Sequence, residues 1–438
     1  MSGHDLILGL GASGESCARY LYRAGRAIKI NDSRPRPVRW SALRERAPGI
    51  EFHLGAFDQS LVDDATRLVA SPGIPMNNSV IARAGELGVP IVSDIDLFVE
   101  QCGAPIAAIT GSNGKSTVTC WLESVLSGAG RRCRAGGNVG TPALDLLDTP
   151  DLDAVVLELS SFQLERSGNL PLRTAALLNV SADHLDHHGS FAAYQQAKTR
   201  VFAAADHAVV LRSLRHLVPN HVNAVTTIGL DAPAEGHYGR VEHNGEFWLA
   251  RGDERLLPVS ELALVQAHDH LNALAVLALA ERLGVHWPAA RDGLVAFAGL
   301  AHRGQVVRRR AGITWINDSK ATNVGATVAA IQSAIGPLVL IAGGDAKGGD
   351  LAPLATALTG RARAAIVLGK DGPALANAIS SVCPVHTVDR LDDAVERAAV
   401  LARAGDTVLL SPACASLDMF TNYEARGQAF IDAVEALT

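Results

Sequence analysis

The chain has 438 residues, 48% of them hydrophobic and 19% charged, and carries a net charge of −6. That length calls for two to four domains, and the acidic balance argues against a surface built for nucleic acid or anionic lipid, which needs clustered cations. The amino terminus has no basic segment ahead of its first apolar run, no uncharged apolar run reaches the roughly 20 residues of a membrane span, and six scattered cysteines form no CxxC pair, so a cytoplasmic, reduced setting without a membrane is expected.

Short apolar runs alternate with longer amphipathic stretches, the rhythm of repeated βα units on mostly parallel sheets. Three α/β blocks are expected, over residues 1–93, 94–298 and 299–438. The first opens with a strand at Leu6–Leu8, a helix over 15–24 and a strand from Ala27 to near Asp32. Between them Gly9, Gly11 and Gly14 spell GxGxxG, and Asp32 follows, a pattern that suits a nucleotide diphosphate at a strand–loop–helix turn. Taken at face value it means NAD; it also occurs as a purely structural turn. A strand at Leu68–Ala70 stops at Ser71-Pro72-Gly73, where proline and glycine enforce a turn.

The second block carries the strongest signal. A strand at Ile106–Ile109 leads into Thr110-Gly-Ser-Asn-Gly-Lys-Ser-Thr117, then a helix with apolar residues at Val118, Trp121, Leu122, Val125 and Leu126. Glycines let backbone N–H groups approach phosphate oxygens, and the helix start adds positive potential. Lys115 adds a full charge, and Ser116 or Thr117 offers Mg2+ a hydroxyl. An ATP-consuming enzyme is therefore expected, although Ile109 stands where the full phosphate-loop pattern has glycine. Glu158 ends a buried strand at 154–157, within reach of a metal on those phosphates. Asp183-His-Leu-Asp-His-His188 crowds three imidazoles and two carboxylates together. It reads as a zinc or iron cluster, a solvated loop, or a segment with one histidine facing metal and phosphates. Lys198 reads as a surface lysine on a helix. Short β segments fill 205–262, with a turn at Asn244-Gly245, and 272–283 is a helix.

The third block has strands at 313–316, 338–342, 364–368 and 407–410, each with a following helix. Loops Asn317–Asn323, Gly343–Asp345 and Ser411–Ser416 lie at carboxyl ends of strands, where such sheets hold ligands, and a helix is expected from about Leu417. His302-Arg303 opens the block and offers an arginine to phosphate. Arg308-Arg309-Arg310 reads as a solvated turn.

Together ITGSNGKST (109–117), GGNVG (136–140), LELSSFQLE (157–165), NVSADHLD (179–186), HR (302–303), NDSKATN (317–323), GGDAK (343–347) and LSPACASLDMF (410–420) resemble the Mur ligases of peptidoglycan synthesis, over essentially the whole chain. The last three segments resemble the glutamate-adding branch. The resemblance implies an N-terminal Rossmann-like domain for a UDP-sugar, a central P-loop-type mononucleotide-binding α/β domain, and a C-terminal Rossmann-like domain for the amino acid and part of ATP. It implies a monomer that joins D-glutamate to UDP-N-acetylmuramoyl-L-alanine through an acyl phosphate. It assigns ATP to Gly111, Ser112, Asn113, Gly114, Lys115, Ser116 and Thr117, with Asn272, Arg303 and Asp318. Two Mg2+ ions would take Ser116, Glu158, His184 and a carbamylated Lys198. The catalytic set would be Lys115, His184, Lys198, Arg303 and Asp318. The UDP-sugar would take Gly11, Ala12, Ser13, Asp32, Ser33, Arg34, Ser71, Gly73, Asn138 and Ser160, which sets the NAD reading aside. Lys320, Thr322, Lys347, Ser416, Leu417 and Tyr423 would hold the amino acid. Three positions depart from the family pattern: Asp269 replaces an asparagine near the adenine, Gln305 an acid after His-Arg, and Tyr423 a phenylalanine. The competing readings are a sister or folylpolyglutamate-type ligase, a nicotinamide dehydrogenase using residues 9–32, and a zinc hydrolase using 183–188.

Overall fold

The computed structural model describes residues 3–264 and 266–437. It contains two compact units, one formed by residues up to Val180 with His184–Phe297, the other by Ser181–Asp183 with Ala298 onward.

Beside a two-stranded pair of Pro171–Leu172 with Ala204–Ala205, the first unit holds two main sheets. In the smaller one, β1 (His4–Leu8), β2 (Ile28–Asp32), β3 (Glu51–Leu54), β4 (Ala65–Ala70) and β5 (Ile91–Val92) are all parallel, in the order β3-β2-β1-β4-β5. Helix α1 (Ala12–Arg23) follows β1 directly, starting three residues earlier than expected because Gly11 supplies its N-cap. The larger sheet contains β6 (Ile106–Thr110), β7 (Cys133–Gly137), β8 (Ala154–Glu158), β9 (Thr174–Leu177), β10 (His207–Leu211), β11 (Ala224–Ile228), β12 (Tyr238–His243), β13 (Glu246–Arg251) and β14 (Glu254–Pro258). Its order is β14-β13-β12-β11-β10-β9-β6-β8-β7, parallel except for the meander β12-β13-β14. Strand β6 is buried throughout, as a parallel strand covered on both faces must be. Helix α2 (Lys115–Gly128) buries Val118, Trp121, Leu122, Val125 and Leu126 against it, the predicted stripe. Ser16 and Arg19 of α1 both bond Asp145 of the larger block, so the two sheets are fastened by polar contacts as well as a shared apolar core.

The second unit has one sheet of β15 (Gln305–Arg310), β16 (Ile313–Asn317), β17 (Leu338–Gly343), β18 (Ala362–Leu368), β19 (Val385–Thr387) and β20 (Thr407–Leu410), in the order β15-β16-β20-β17-β18-β19. All pairs are parallel except β15 with β16. Arg308–Arg310 are therefore not a solvated turn but part of an edge strand. Arg308 donates to the carbonyls of Val434 and Leu437 at 2.8 and 3.0 Å, and Arg310 to Leu437 at 2.9 Å. These cations sit on orphan carbonyls at the end of the last helix, where the helix dipole favours them. That helix starts at Tyr423 rather than near Leu417, because Asn422 caps it by accepting from the Ala425 amide. All six cysteines are free, and four are buried.

Asp5 on β1 supplies a test of the first sheet. Its side chain is wholly buried, with Arg26 and Arg67 each making two hydrogen bonds of 3.0–3.1 Å to it. Burial alone would raise this carboxyl, but the two guanidinium groups outweigh it and hold it below the usual range. A depressed acid contributes stability above its unfolded value of about 4 and loses it as pH falls through the folded value. Asp5→Asn should cost about 2–3 kcal/mol at pH 7 and much less at pH 3. Urea unfolding of both proteins across that range measures the gap.

Candidate functional site

In the first unit, β1 runs into a turn at Gly9, whose φ of +91° suits glycine. A Cβ on Gly14 would lie 2.0 Å from the Gly9 carbonyl oxygen, so the turn is closed by two glycines in contact. Ser71 donates to that same oxygen at 2.8 Å. Asp32, at the end of β2, accepts from the Leu10 amide at 2.7 Å and from three N–H groups of Arg34. Burial pushes its carboxyl up, and Arg34 with the backbone donors more than reverses this. Arg34 thus places an exposed cation beside the glycine turn, the sign a diphosphate requires. Gly11, Ala12, Ser33 and Gly73 lie exposed around it. Ser13 lies near Asp94, whose carboxyl is raised by burial.

The phosphate-type loop follows β6, with Gly111 at φ +158° and Gly114 at φ +82°. Asn179 braces it: its side chain accepts from the Asn113 amide at 2.8 Å and donates to the Asn113 carbonyl at 3.0 Å. Lys115 folds back and donates to the Gly111 and Ser112 carbonyls, both at 2.9 Å. Lys198 reaches the same Gly111 carbonyl at 2.8 Å and lies 4.6 Å above the Tyr194 ring. Tyr194 in turn has its hydroxyl 3.0 Å from Ser112 Oγ. Lys198 is only 2% exposed, which corrects its reading as a surface lysine: Tyr194 and Lys198, one turn apart on α5 (Phe191–Thr199; α3 is Ser161–Arg166, α4 Leu185–His188), both point under the loop. Two amines on one carbonyl oxygen make an electropositive spot beside the loop amides. Ser116 is buried at the start of α2, and Thr117 is partly exposed beside it. The Asn272 side chain abuts the loop, since a Cβ on Gly114 would lie 2.8 Å from its oxygen.

Glu158 ends β8 and is 2% exposed. Its Oε1 accepts from Asn138 at 2.7 Å, while its Oε2 is buried without a hydrogen-bond partner. An orphan buried carboxylate oxygen is costly unless a cation meets it, so this residue fits a divalent ion. Ser160, two residues on, caps α3 through the Gln163 amide.

In the histidine-rich segment His184 and Leu185 are exposed, while His187 and His188 are partly buried. His184 has φ +52° and precedes the short helix α4. Its ring packs edge-on to Phe162 at 4.9 Å and lies 6.4 Å from that of Tyr194, beside the helix carrying Lys198. His187 and His188 also face α3, at Glu165 and Ser161. Burial lowers His188 below the usual histidine range, with Glu165 opposing. Asp269 closes a capping box with Gln266 at the head of helix α6 (Ala267–Arg282), and burial raises its carboxyl. This capping role accounts physically for an acid there.

The second unit carries the remaining candidates. Asp318 accepts from the Gly304 amide, next to Arg303, at 3.2 Å and from Ser411 Oγ at 2.9 Å, joining two loops. Gln305 accepts from the His302 amide at 3.0 Å, a capping role that needs no charge. His302 is buried against Asn317 at 2.9 Å, so it anchors the start of the block beside Arg303. Lys320 lies 3.8 Å over the Tyr423 ring. Lys347 has φ +50° and its amide donates to Asp345, which pairs with Lys370. Ser416 is buried, Leu417 is 70% exposed and Thr322 is partly exposed.

Three residues that sequence reasoning did not single out organise these loops. Asn179 and Tyr194 brace the phosphate-type loop from outside it. Arg426, in the last helix, is 3% exposed and donates to Ser319 Oγ, Ser319 O, Gly343 O and Cys414 O. Burial lowers its guanidinium to about 10. Tyr194 had a weak signal in its one-turn spacing from Lys198; a lone arginine in a polar helix had none.

Comparison with known proteins adds a second kind of observation. Residues 3–93 match a family described as Mur ligase MurD-like, N-terminal domain; 109–280 match the Mur ligase middle domain; 302–414 match the Mur ligase, glutamate ligase domain. A protein of Chromohalobacter salexigens named UDP-N-acetylmuramoylalanine--D-glutamate ligase is 47% identical over 438 residues, covering 98% of this chain and 96% of that one. A protein of the same name from Nitrosococcus oceani is 46% identical, covering 99% and 96%. The crystal structure of UDP-N-acetylmuramate-alanine ligase from Thermotoga maritima shares the fold with a TM-score of 0.61 at 19% identity, covering 99% of each chain.

Proposed function

We propose, since this chain belongs to the Mur ligase family, that it is an ATP-dependent ligase joining D-glutamate to the L-alanyl carboxylate of UDP-N-acetylmuramoyl-L-alanine in cytoplasmic peptidoglycan precursor synthesis. The observation carrying this reading is 47% identity, over nearly the full length of both chains, to a relative bearing that activity in its name. Among the described residues no helix is long and apolar enough to cross a membrane.

Residues 1–93 would hold the UDP-sugar, 94–298 ATP, and 299–438 the amino acid with part of ATP. A carboxylate is a poor electrophile, so the substrate carboxylate first takes the γ-phosphoryl group of ATP. The amine of D-glutamate then attacks the acyl phosphate, and collapse gives amide and phosphate. Two anions must meet in the first step, so neutralising charge is the main catalytic task. Lys115 with the loop amides of 111–117, and Arg303, would supply it. Asn272 and Asp318 would orient the nucleotide. Glu158, Ser116, His184 and Lys198 as a carbamate would hold two Mg2+ ions, which polarise phosphoryl oxygens when bound. The buried unpartnered oxygen of Glu158 supports such a cation. The Asp32–Arg34 pair and the glycine turn support a diphosphate in the first block. Lys320, Thr322, Lys347, Ser416, Leu417 and the ring of Tyr423 would receive D-glutamate. The chain would act as a monomer.

The product tests the reading directly. Incubation with all three substrates should convert the UDP-sugar to a species heavier by one glutamyl residue in mass spectrometry. Unchanged UDP-sugar with consumed ATP would refute it. The carbamate makes a separate prediction: 13C-bicarbonate should give a carbamate carbon resonance in the wild type that is absent from Lys198→Gln, and removing CO2 should lower wild-type activity at least several-fold. A wild-type spectrum without that resonance would reject the modification.

A further inference from the structure

The run Asp183–His188 carries three imidazoles, and the proposed reaction uses only His184. The other two meet an acid from α3. His187 Nε2 lies 2.8 Å from Glu165 Oε2, and His188 Nδ1 lies 3.9 Å from Glu165 Oε1. Ligand atoms of all three residues fall within 4.8 Å of one another. The His188 side chain is 1% exposed, and its two nitrogens differ sharply. Nε2 is 3.0 Å from Ser161 Oγ, whereas Nδ1 is buried with no hydrogen-bond partner. If Nε2–H donates to the serine, Nδ1 is a bare lone pair beside a carboxylate oxygen beyond hydrogen-bond reach. Two electron-rich atoms then face one region, and a cation is what would reconcile them.

We propose that Glu165, His187 and His188 form a binding site for a zinc-class transition-metal ion, separate from the Mg2+ positions. Two imidazoles and one carboxylate are a borderline-soft donor set that favours zinc over magnesium, whose sites are built from oxygen. Ser161 Oγ, 3.0 Å from His188 Nε2, would accept the outer N–H of a metal-bound His188, the usual support for such an imidazole. The rings are held in place by Phe162, whose centroid is 4.4 Å from His187 and 5.6 Å from His188. Zinc–ligand lengths of about 2.1 Å set tetrahedral neighbours about 3.4 Å apart, so rotating side chains must open the Glu165–His187 pair from 2.8 Å and close the widest pair from at most 4.8 Å. His187 and Glu165 are 18% and 28% exposed, which leaves an entry path and a fourth position for water. The ion would pin α4 to α3 and fix the backbone just after His184. This inference stands independently of the ligase reading, because its ligands are not among the proposed catalytic groups.

Purified full-length chain, stripped with chelator and held in excess Mg2+, is titrated with Co2+ and then Zn2+. One Co2+ per chain should produce the intense visible bands of a tetrahedral site, and Zn2+ should displace them. His187→Gln and Glu165→Gln, each folded by circular dichroism, should weaken Zn2+ binding about 10- to 100-fold. His184→Ala should retain it. Absence of tetrahedral bands in the wild type would overturn the proposal by itself. So would binding that survives both first variants but disappears with His184→Ala, which would put the ion among the nucleotide phosphates instead.

Discussion

Lys115→Ala should lower kcat by about 1,000-fold or more while leaving the thermal midpoint within about 3 °C of wild type. The two halves of this expectation have different causes. The ammonium of Lys115 folds back onto two carbonyls of its own loop. Its partly exposed chain contributes little packing, and Lys198 already occupies one of those carbonyls. With ATP present, the same amine would lie against phosphoryl oxygens as their charge shifts, where a preorganised cation is worth several kcal/mol. Steady-state ligation and a thermal melt of the same preparation measure both halves. Near-normal ligation in Lys115→Ala would remove the loop from the mechanism. Loss of the fold would instead make Lys115 a structural residue.

Arg426→Ala should be the most damaging substitution in the second unit, costing about 3–5 kcal/mol. One guanidinium serves three loops, through Ser319, Gly343 and Cys414. Those are the segments after β16, β17 and β20, where the proposed amino-acid contacts Lys320, Lys347 and Ser416 reside. Alanine would leave three carbonyls buried without a donor and the loops without a common tie. Arg426→Lys keeps a charge but cannot span all the acceptors, because an ammonium lacks the planar fork. The KM for the amino acid should therefore rise at least about 10-fold in the lysine variant, with a smaller change in the KM for ATP. Denaturant unfolding of the alanine variant and substrate titration of the lysine variant check the two statements. Unchanged amino-acid KM in Arg426→Lys would separate this arginine from the loops' function.

The parts of this chain that were legible in its sequence are those where local physics and burial agree. Strands such as Ile106–Thr110 and Leu338–Gly343 are covered on both faces and read as unbroken apolar runs. The glycine turn at 9–14 and the loop at 111–117 were legible because each needs backbone conformations or close approaches that other residues resist. Elements set by distant partners were not. Arg308–Arg310 carry no strand signal, and their place is fixed by pairing with Ile313–Asn317 and by carbonyls at the far end of the chain. Lys198 looked like surface because its helix, rich in alanine and glutamine, has no clear apolar stripe. Its burial comes from the loop 87 residues earlier. The helix expected at Leu417 was displaced by a stronger cap at Asn422. For the candidate site, the loop, Glu158 and one histidine of 183–188 could be argued from residue chemistry, while the choice of His184 came from the family resemblance. Asn179 and Arg426 act through contacts that no spacing encodes.

The most direct test of the central claim is phosphate release by the purified protein with ATP, Mg2+ and UDP-N-acetylmuramoyl-L-alanine, with D-glutamate added in one reaction and L-glutamate in another. The account predicts sustained release only with D-glutamate and only when the UDP-sugar is present. Release with L-glutamate alone would contradict the acceptor assignment and direct attention to Tyr423, whose hydroxyl is the one added group beside the proposed amino-acid contacts. Release with neither would contradict the assigned reaction.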